Sequence, residues 1–127
     1  MILYRCDRAK ETMEEARVLA EIKHWNSCVN RLYYACFYSV TALLLLNDLS
    51  SSKHRGTRSF FNQYFVRTKQ IPEELAEIYN DLFERRQEGD YVDMIRFEAD
   101  EVLPWIRQAE EFINYILNLV NQKLENM

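Results

Sequence analysis

The densest apolar stretch of the chain is residues 26–46, NSCVNRLYYACFYSVTALLLL, and the rest arranges itself around it. Apolar residues at Cys28, Val29, Leu32, Tyr33, Ala35, Cys36, Phe37, Val40, Leu43 and Leu44 cover most of a helix circumference. A helix apolar almost all round belongs inside a bundle or a membrane. The apolar run proper, residues 32–46, holds 15 residues, Tyr, Ser and Thr among them, short of the roughly 20 that span a bilayer. The pattern predicts the central helix of a bundle and no membrane partner. Asn26 or Ser27 is the expected N-cap.

Helical spacing recurs on both sides. Cys6, Ala9, Met13, Ala16 and Ala20 step by three and four and predict a first helix over 4–23. Phe60, Phe61, Tyr64 and Phe65 give a short aromatic helix beginning near 52 or 56 and ending at 66. Leu75, Ile78, Tyr79, Leu82 and Phe83 predict a fourth helix over 72–87, with Pro72 in its first turn and Gly89 as its C-cap. A loop is expected over 90–96. Val102, Ile106, Ala109, Ile113, Ile116 and Val120 predict a last helix over 98–123, with Pro104 in its first turns, where a missing amide costs least. The sum is an all-α, antiparallel up-and-down bundle of four long helices plus a short one, in a single domain over 1–127.

Composition sharpens this picture. Two Gly and two Pro in 127 residues leave few breaks, so the elements should be long. A net charge of −4 does not favour nucleic acid in bulk, but the charge is unevenly placed. Residues 53–69 carry five Lys or Arg and His54 with no acid, whereas 70–101 carry eleven acids against three Arg. The three cysteines, Cys6, Cys28 and Cys36, form no CxxC pair, so no zinc site is expected. An odd count at helix-core positions suits reduced thiols and a cytoplasmic location. The apolar run at Ile2, Leu3 and Tyr4 is too short for a signal peptide. No Gly-rich phosphate loop or nucleophile elbow is present, and no cofactor is expected. Asp90 and Asp93 alone are weak metal ligands.

Four pieces, taken in order, carry a likeness. They are Asn30-Arg31-Leu32-Tyr33-Tyr34-Ala35, then Lys53-His54-Arg55-Gly56 before the aromatic helix, then Arg85-Arg86 followed by Asp90-Tyr91, and Ala109-Glu110-Glu111-Phe112 on the last helix. Together they resemble the HEPN superfamily, in its branch of small stand-alone proteins, over nearly the whole chain. The resemblance implies a helical bundle that forms a homodimer and frequently pairs with a minimal nucleotidyltransferase in toxin–antitoxin-like modules. It also implies, for many members, metal-independent ribonuclease activity from an Arg-x(4–6)-His motif at the end of the penultimate long helix. Here the chain departs from the motif: after Arg85 and Arg86 it reads Gln87-Glu88-Gly89-Asp90-Tyr91-Val92-Asp93, without a His. RNA cleavage through the 2′-hydroxyl wants a proton-transfer group near neutrality, which His supplies untuned. An Asp beside two Arg stays ionised and repels phosphate.

The candidate site residues follow. Arg85 and Arg86 could present a guanidinium fork to phosphate, or Arg86 could simply pair with Asp90. Asn30 and Tyr34 suit a buried polar network, and Arg31 could reach Asp90. Lys53, His54, Arg55 and Arg58 at a helix N-terminus make an anion site, with aromatics close by for base stacking. Tyr91 completes the nucleotide- or RNA-binding set of Arg31, Lys53, His54, Arg58, Arg85 and Arg86. Arg17 and His24 fit the Arg–six–His spacing but sit on the first helix, and the match is read as chance. Three readings result: a non-catalytic module binding a nucleotide, RNA or a nucleotidyltransferase; a ribonuclease in which Asp90, Tyr91 or His54 replaces the missing His; and a helical scaffold for protein contacts alone. Weak catalytic candidates are Arg86, Asp90 and Tyr91.

Overall fold

The structure is a computed structural model that describes residues 1–91 and 95–127, and every regular element within them is helical. The order is α1 (Ile2–Glu21), α2 (Trp25–Leu46), α3 (His54–Phe61), a π-helical turn (Asn62–Val66) continuing α3, α4 (Glu73–Tyr91) and α5 (Ala99–Glu125). This is the all-α bundle that the apolar periodicity predicts. α2 is its axis and packs against α1, α3, α4 and α5. Val29, Leu32, Tyr33, Cys36, Val40 and Leu43 on α2 have no exposed surface. By length and apolar composition alone α2 would pass for a membrane span, but 56% of that window is buried by its neighbours. Burial of each large aliphatic or aromatic side chain contributes about 1.5–3 kcal/mol.

The helix ends are built differently from expectation. Neither glycine has a positive φ. The left-handed positions belong instead to Lys23 (φ 62°), Asp48 (φ 58°) and Lys69 (φ 65°). At the end of α1 the His24 amide donates to the Leu19 carbonyl (2.9 Å) and the Lys23 amide to that of Ala20 (3.0 Å). At the end of α2 the Leu49 amide donates to Leu44 (2.9 Å) and the Asp48 amide to Leu45 (3.1 Å). Each pair is the double bond of a Schellman motif, which turns the chain sharply and satisfies terminal carbonyls. The three-residue link between α1 and α2 makes them antiparallel neighbours.

Gly89 is not a C-cap. α4 continues through it to Tyr91, and the glycine serves as a gap rather than a hinge. A Cβ at Gly89 would lie 2.8 Å from Cε2 of Phe97, whose ring is 8% exposed. At Gly56 a Cβ would run into the side-chain hydroxyl of Ser51. The expected caps of α2 are likewise replaced. His24 occupies the N-cap without a side-chain bond, and Asn26 works across the fold. Asn26 Nδ2 donates to the carbonyls of Ile95 (2.9 Å) and Gly89 (3.5 Å), and its Oδ1 accepts from the Phe97 amide (2.9 Å). One amide side chain thus ties the start of α2 to the end of α4 and the approach to α5. Pro72 stands just before α4, and its carbonyl accepts from Leu75 (3.2 Å) and Ala76 (3.0 Å).

Gly89→Ala tests this packing. On propensity alone Ala gains about 1 kcal/mol in a helix interior, whereas forcing a methyl into a filled space costs about 1–3 kcal/mol. The variant is expected to be less stable than the wild type in urea unfolding. A gain of a full kcal/mol would mean that Phe97 does not lie on Gly89.

Candidate functional site

Two of the polar residues that the sequence scatters along the chain, His54 and Arg86, meet at one side chain, Tyr33. It is fully buried near the middle of α2. Its hydroxyl is 2.7 Å from Nδ1 of His54, the first residue of α3. The His54 ring also stacks on Phe37 (4.4 Å between centroids, 30°) and meets the edge of Tyr34 (5.5 Å). Behind Tyr33 lie the rings of Tyr79, parallel at 6.0 Å, and Phe83, edge-on at 5.8 Å.

Arg86 enters this aromatic shell from α4. Its side chain is 5% exposed. The guanidinium carbon lies 4.8 Å from the Tyr33 ring centroid and 5.8 Å from those of Tyr34 and Tyr91. Its Nε is buried with no hydrogen-bond partner among the described residues, and no carboxylate of those residues pairs with it. A buried cation without a counter-charge is costly, and the ring faces supply only part of what water would. Tyr91, at 73% exposure, stands at the outer side of this shell.

The expected Arg86–Asp90 and Arg31–Asp90 pairs do not form. Because α4 stays helical to Tyr91, Asp90 is carried to α2, where its Oδ2 accepts from Asn30 Nδ2 (2.8 Å). Asn30 Oδ1 in turn accepts from Arg31 Nε (3.0 Å) and Nη2 (2.8 Å), and Arg31 Nη1 reaches Glu15 (3.5 Å). Asn30 is therefore the joint of a partly exposed chain Glu15–Arg31–Asn30–Asp90, rather than of a buried network with Tyr34. Tyr34 packs beneath, with the Arg31 guanidinium 5.0 Å from its ring.

The Arg85–Arg86 fork is also absent. Consecutive helical residues do not share a face. Arg85 turns to α5, where it lies 4.0 Å over the Trp105 ring and 3.9 Å from Asp81. Arg58 does border the cluster. Its guanidinium is 3.9 Å above Phe83, bonds Glu84 (3.1 Å), and is close enough to favour the Tyr33 phenolate. Lys53 is exposed at the N-cap of α3. Arg17 bonds Glu14 and Glu110, and His24 caps α2, so this pair builds no site. Asp93 lies outside the described residues, and among those no three potential metal ligands come together. The cysteines are free and buried, and burial pushes the Cys28 thiol up to about 11.

The electrostatics favour neutral groups around the cation. Burial, and then the Arg86 charge, lower the His54 pKa below its usual 6.5. Burial pushes the Tyr33 phenol well above its ordinary range, against the pull of Arg86. At neutral pH the pair is an uncharged phenol bonded to an uncharged imidazole, beside a guanidinium. If His54 Nδ1–H donates to the Tyr33 oxygen, Nε2 keeps its lone pair and is a base. Sequence reasoning missed Tyr33 as the hub, and the one available signal was its place three residues after Asn30 in a helix otherwise filled with core.

A sequence model of the HEPN domain matches residues 2–120, so the chain belongs to the HEPN domain family. Its relatives include a "UPF0332 protein" of Thermotoga maritima, 44% identical over 120 residues, covering 94% of this chain and 91% of the relative. Two proteins of Methanocaldococcus jannaschii are also similar. "Putative toxin MJ0605" is 34% identical over 91% of this chain and 86% of its own length. "Putative toxin MJ0142" is 30% identical over 85% of this chain and 74% of its own. The chain is thus a HEPN-family protein with toxin-named relatives.

Depression of the His54 pKa has a stability consequence. On unfolding, His54 regains its ordinary affinity for protons, so below about pH 6.5 the unfolded state binds more of them. The stabilisation that comes from holding the ring neutral is present above pH 6.5 and is lost as pH falls toward the folded pKa. In an NMR titration the His54 midpoint is expected below 6.5, and His54→Gln should flatten the fall in stability between pH 7 and 5. A His54 midpoint above 6.5 would contradict the arrangement.

Proposed function

We propose that this chain is a toxin-like HEPN module that binds RNA or a nucleotide by a phosphate group at Arg86. The observation that carries the reading is a guanidinium at 5% exposure, ringed by Tyr33, Tyr34 and Tyr91, with no carboxylate partner among the described residues. Phosphate answers that need with charge and with oxygen acceptors matched to the guanidinium fork. Arg58 and Lys53 add positive charge on the His54 side, and exposed Tyr91 offers a ring on which a base can stack. Arg31, already held by Asn30 and Glu15, and Arg85, held on α5, serve chiefly to position these elements. The proposal extends to a homodimer and a minimal nucleotidyltransferase partner, supported by family membership and by exposed apolar side chains such as Tyr4, Val18, Ile22 and Leu103.

Arg86→Lys keeps the charge and loses the fork. The folded variant, checked by circular dichroism, is expected to bind a fluorescent RNA oligomer about tenfold to a hundredfold more weakly, since a hydrogen bond to a charged group is worth about 1.5–3 kcal/mol. An unchanged affinity in the folded variant would move the phosphate elsewhere.

One observation favours a second reading, that of a metal-independent ribonuclease. His54 belongs to the same aromatic cluster as Arg86, it is held neutral, and it hydrogen-bonds Tyr33. It would take the 2′-hydroxyl proton while Arg86 stabilises charge on the phosphorane. On this reading RNA cleavage persists in EDTA, rises with pH until the imidazole is fully neutral, then levels, and disappears in His54→Ala. Cleavage that survives His54→Ala in a folded protein would take His54 out of the chemistry, and no cleavage by the wild type would leave the binding module alone standing.

A further inference from the structure

A second polar cleft lies beside the aromatic cluster, and nothing in the tyrosine shell uses it. Arg55, Arg58, Ser59, Asn62, Arg67 and Asn80 line a space of about 360 Å³ between α3, the π turn and α4. Three of the six lining residues are arginines, and one of them, Arg58, is paired with Glu84. Arg55 and Arg67 are exposed, with no ion-pair partner among the described residues. In a chain of net charge −4 this concentration of one sign is local and built by the backbone.

The π turn is the builder. The amide at Asn62 closes an ordinary helical turn onto the Arg58 carbonyl. The next turn along this edge is wider, because the Arg67 amide donates to the Asn62 carbonyl (2.9 Å), five residues back. Arg67 therefore sits one turn beyond Asn62 on the same edge, where a continued α-helix would have placed Val66. Arg55, Arg58, Asn62 and Arg67 form a row, and the Asn62 and Asn80 amides bond each other (3.4 and 3.5 Å) to fix its floor. π turns inside α-helices recur at functional positions. The row also joins the first site. Arg58 belongs to both, lining the cleft while its guanidinium covers Phe83 and acts on the Tyr33 phenol.

We infer that the row Arg55–Arg58–Asn62–Arg67 is a track for the sugar–phosphate backbone of single-stranded RNA, running on from the phosphate at Arg86. The inference deepens the proposed function and rests on it. The ligand is then a strand of several nucleotides rather than a free nucleotide. Three arginines on one helix edge, two of them without an ion-pair partner among the described residues and the third shared with the Arg86 cluster, suit the repeated charge of a strand better than a single phosphate.

The test is binding of a 15-nucleotide oligouridylate and of uridine monophosphate, each over a salt series, to the wild type, to the Arg55→Ala/Arg67→Ala double variant and to Arg86→Lys. Single strands lose affinity with a log–log salt slope of about −0.7 per neutralised phosphate. The double variant is expected to shed about 1.4 from the oligomer slope, two contacts' worth, while its mononucleotide binding stays as it was. Arg86→Lys is expected to weaken both ligands. An oligomer slope and affinity unchanged in the double variant, with Arg86→Lys still impaired, sinks the track and leaves the pocket. Loss of oligomer binding in the double variant alone, with Arg86→Lys unaffected, keeps the track and sinks the pocket. Oligomer binding by no protein at low salt sinks both. Displacement of the oligomer by polyglutamate of equal charge, as effectively as by RNA, would overturn RNA as the occupant.

Discussion

A cation with little access to water must be solvated largely by the protein, and the site end of this bundle is organised by that requirement at Arg86. Among the described residues the guanidinium is met by ring faces rather than carboxylates. Tyr33 and Tyr34 bring two rings to it from α2, and Tyr91 is reached because α4 runs on past a glycine. The acid one turn further along the same helix, Asp90, is bonded to Asn30 instead. An ion pair at Arg86 would satisfy the charge and close the site. A tyrosine shell steadies the cation and, among the described residues, leaves it short of an anion.

The same charge orders its surroundings. It opposes protonation of His54 and works against burial at Tyr33. The neighbouring hydrogen bond consequently joins two neutral groups that are each both donor and acceptor. Such a pair changes tautomer without moving net charge into a low-dielectric region. Arg58, pinned between Phe83 and Glu84, carries positive potential from this interior outward to the surface of α3.

Much of the fold was legible in the sequence. Five helical stripes gave five helices within a few residues, because each buries one face and periodicity reports which one. The errors lie where residue type has more than one use. Glycine at 89 was read for its backbone freedom, whereas it is needed for its lack of bulk against Phe97. Left-handed helix ends fell to Lys23 and Asp48, whose side chains give little warning. Asn26 looked like a cap and is instead a long-range tie, which depends on a segment seventy residues away. Within the site, the sequence singles out Arg86, His54, Tyr91, Asn30 and Arg31 as candidates, but not which of them come together around Tyr33. Adjacent Arg85 and Arg86 look alike on paper, and only helix geometry sends one to Trp105 and the other to Tyr33. The π turn left no mark in the apolar pattern, since Phe61 and Phe65 keep ordinary spacing across it.

The thiols give the bundle an unplanned use. Cys28 and Cys36 have no exposed surface, Cys6 has almost none, and burial holds all three in the protonated form. A thiol-alkylating reagent needs both access and a thiolate. In the closed bundle it has neither, so its rate of reaction becomes a clock for opening. Cys6 reports separation of α1 from the bundle, while Cys28 and Cys36, on the axis itself, report only its dissolution. Mass spectrometry of the three labels would separate fraying at the rim from collapse of the whole, with no probe engineered into the chain.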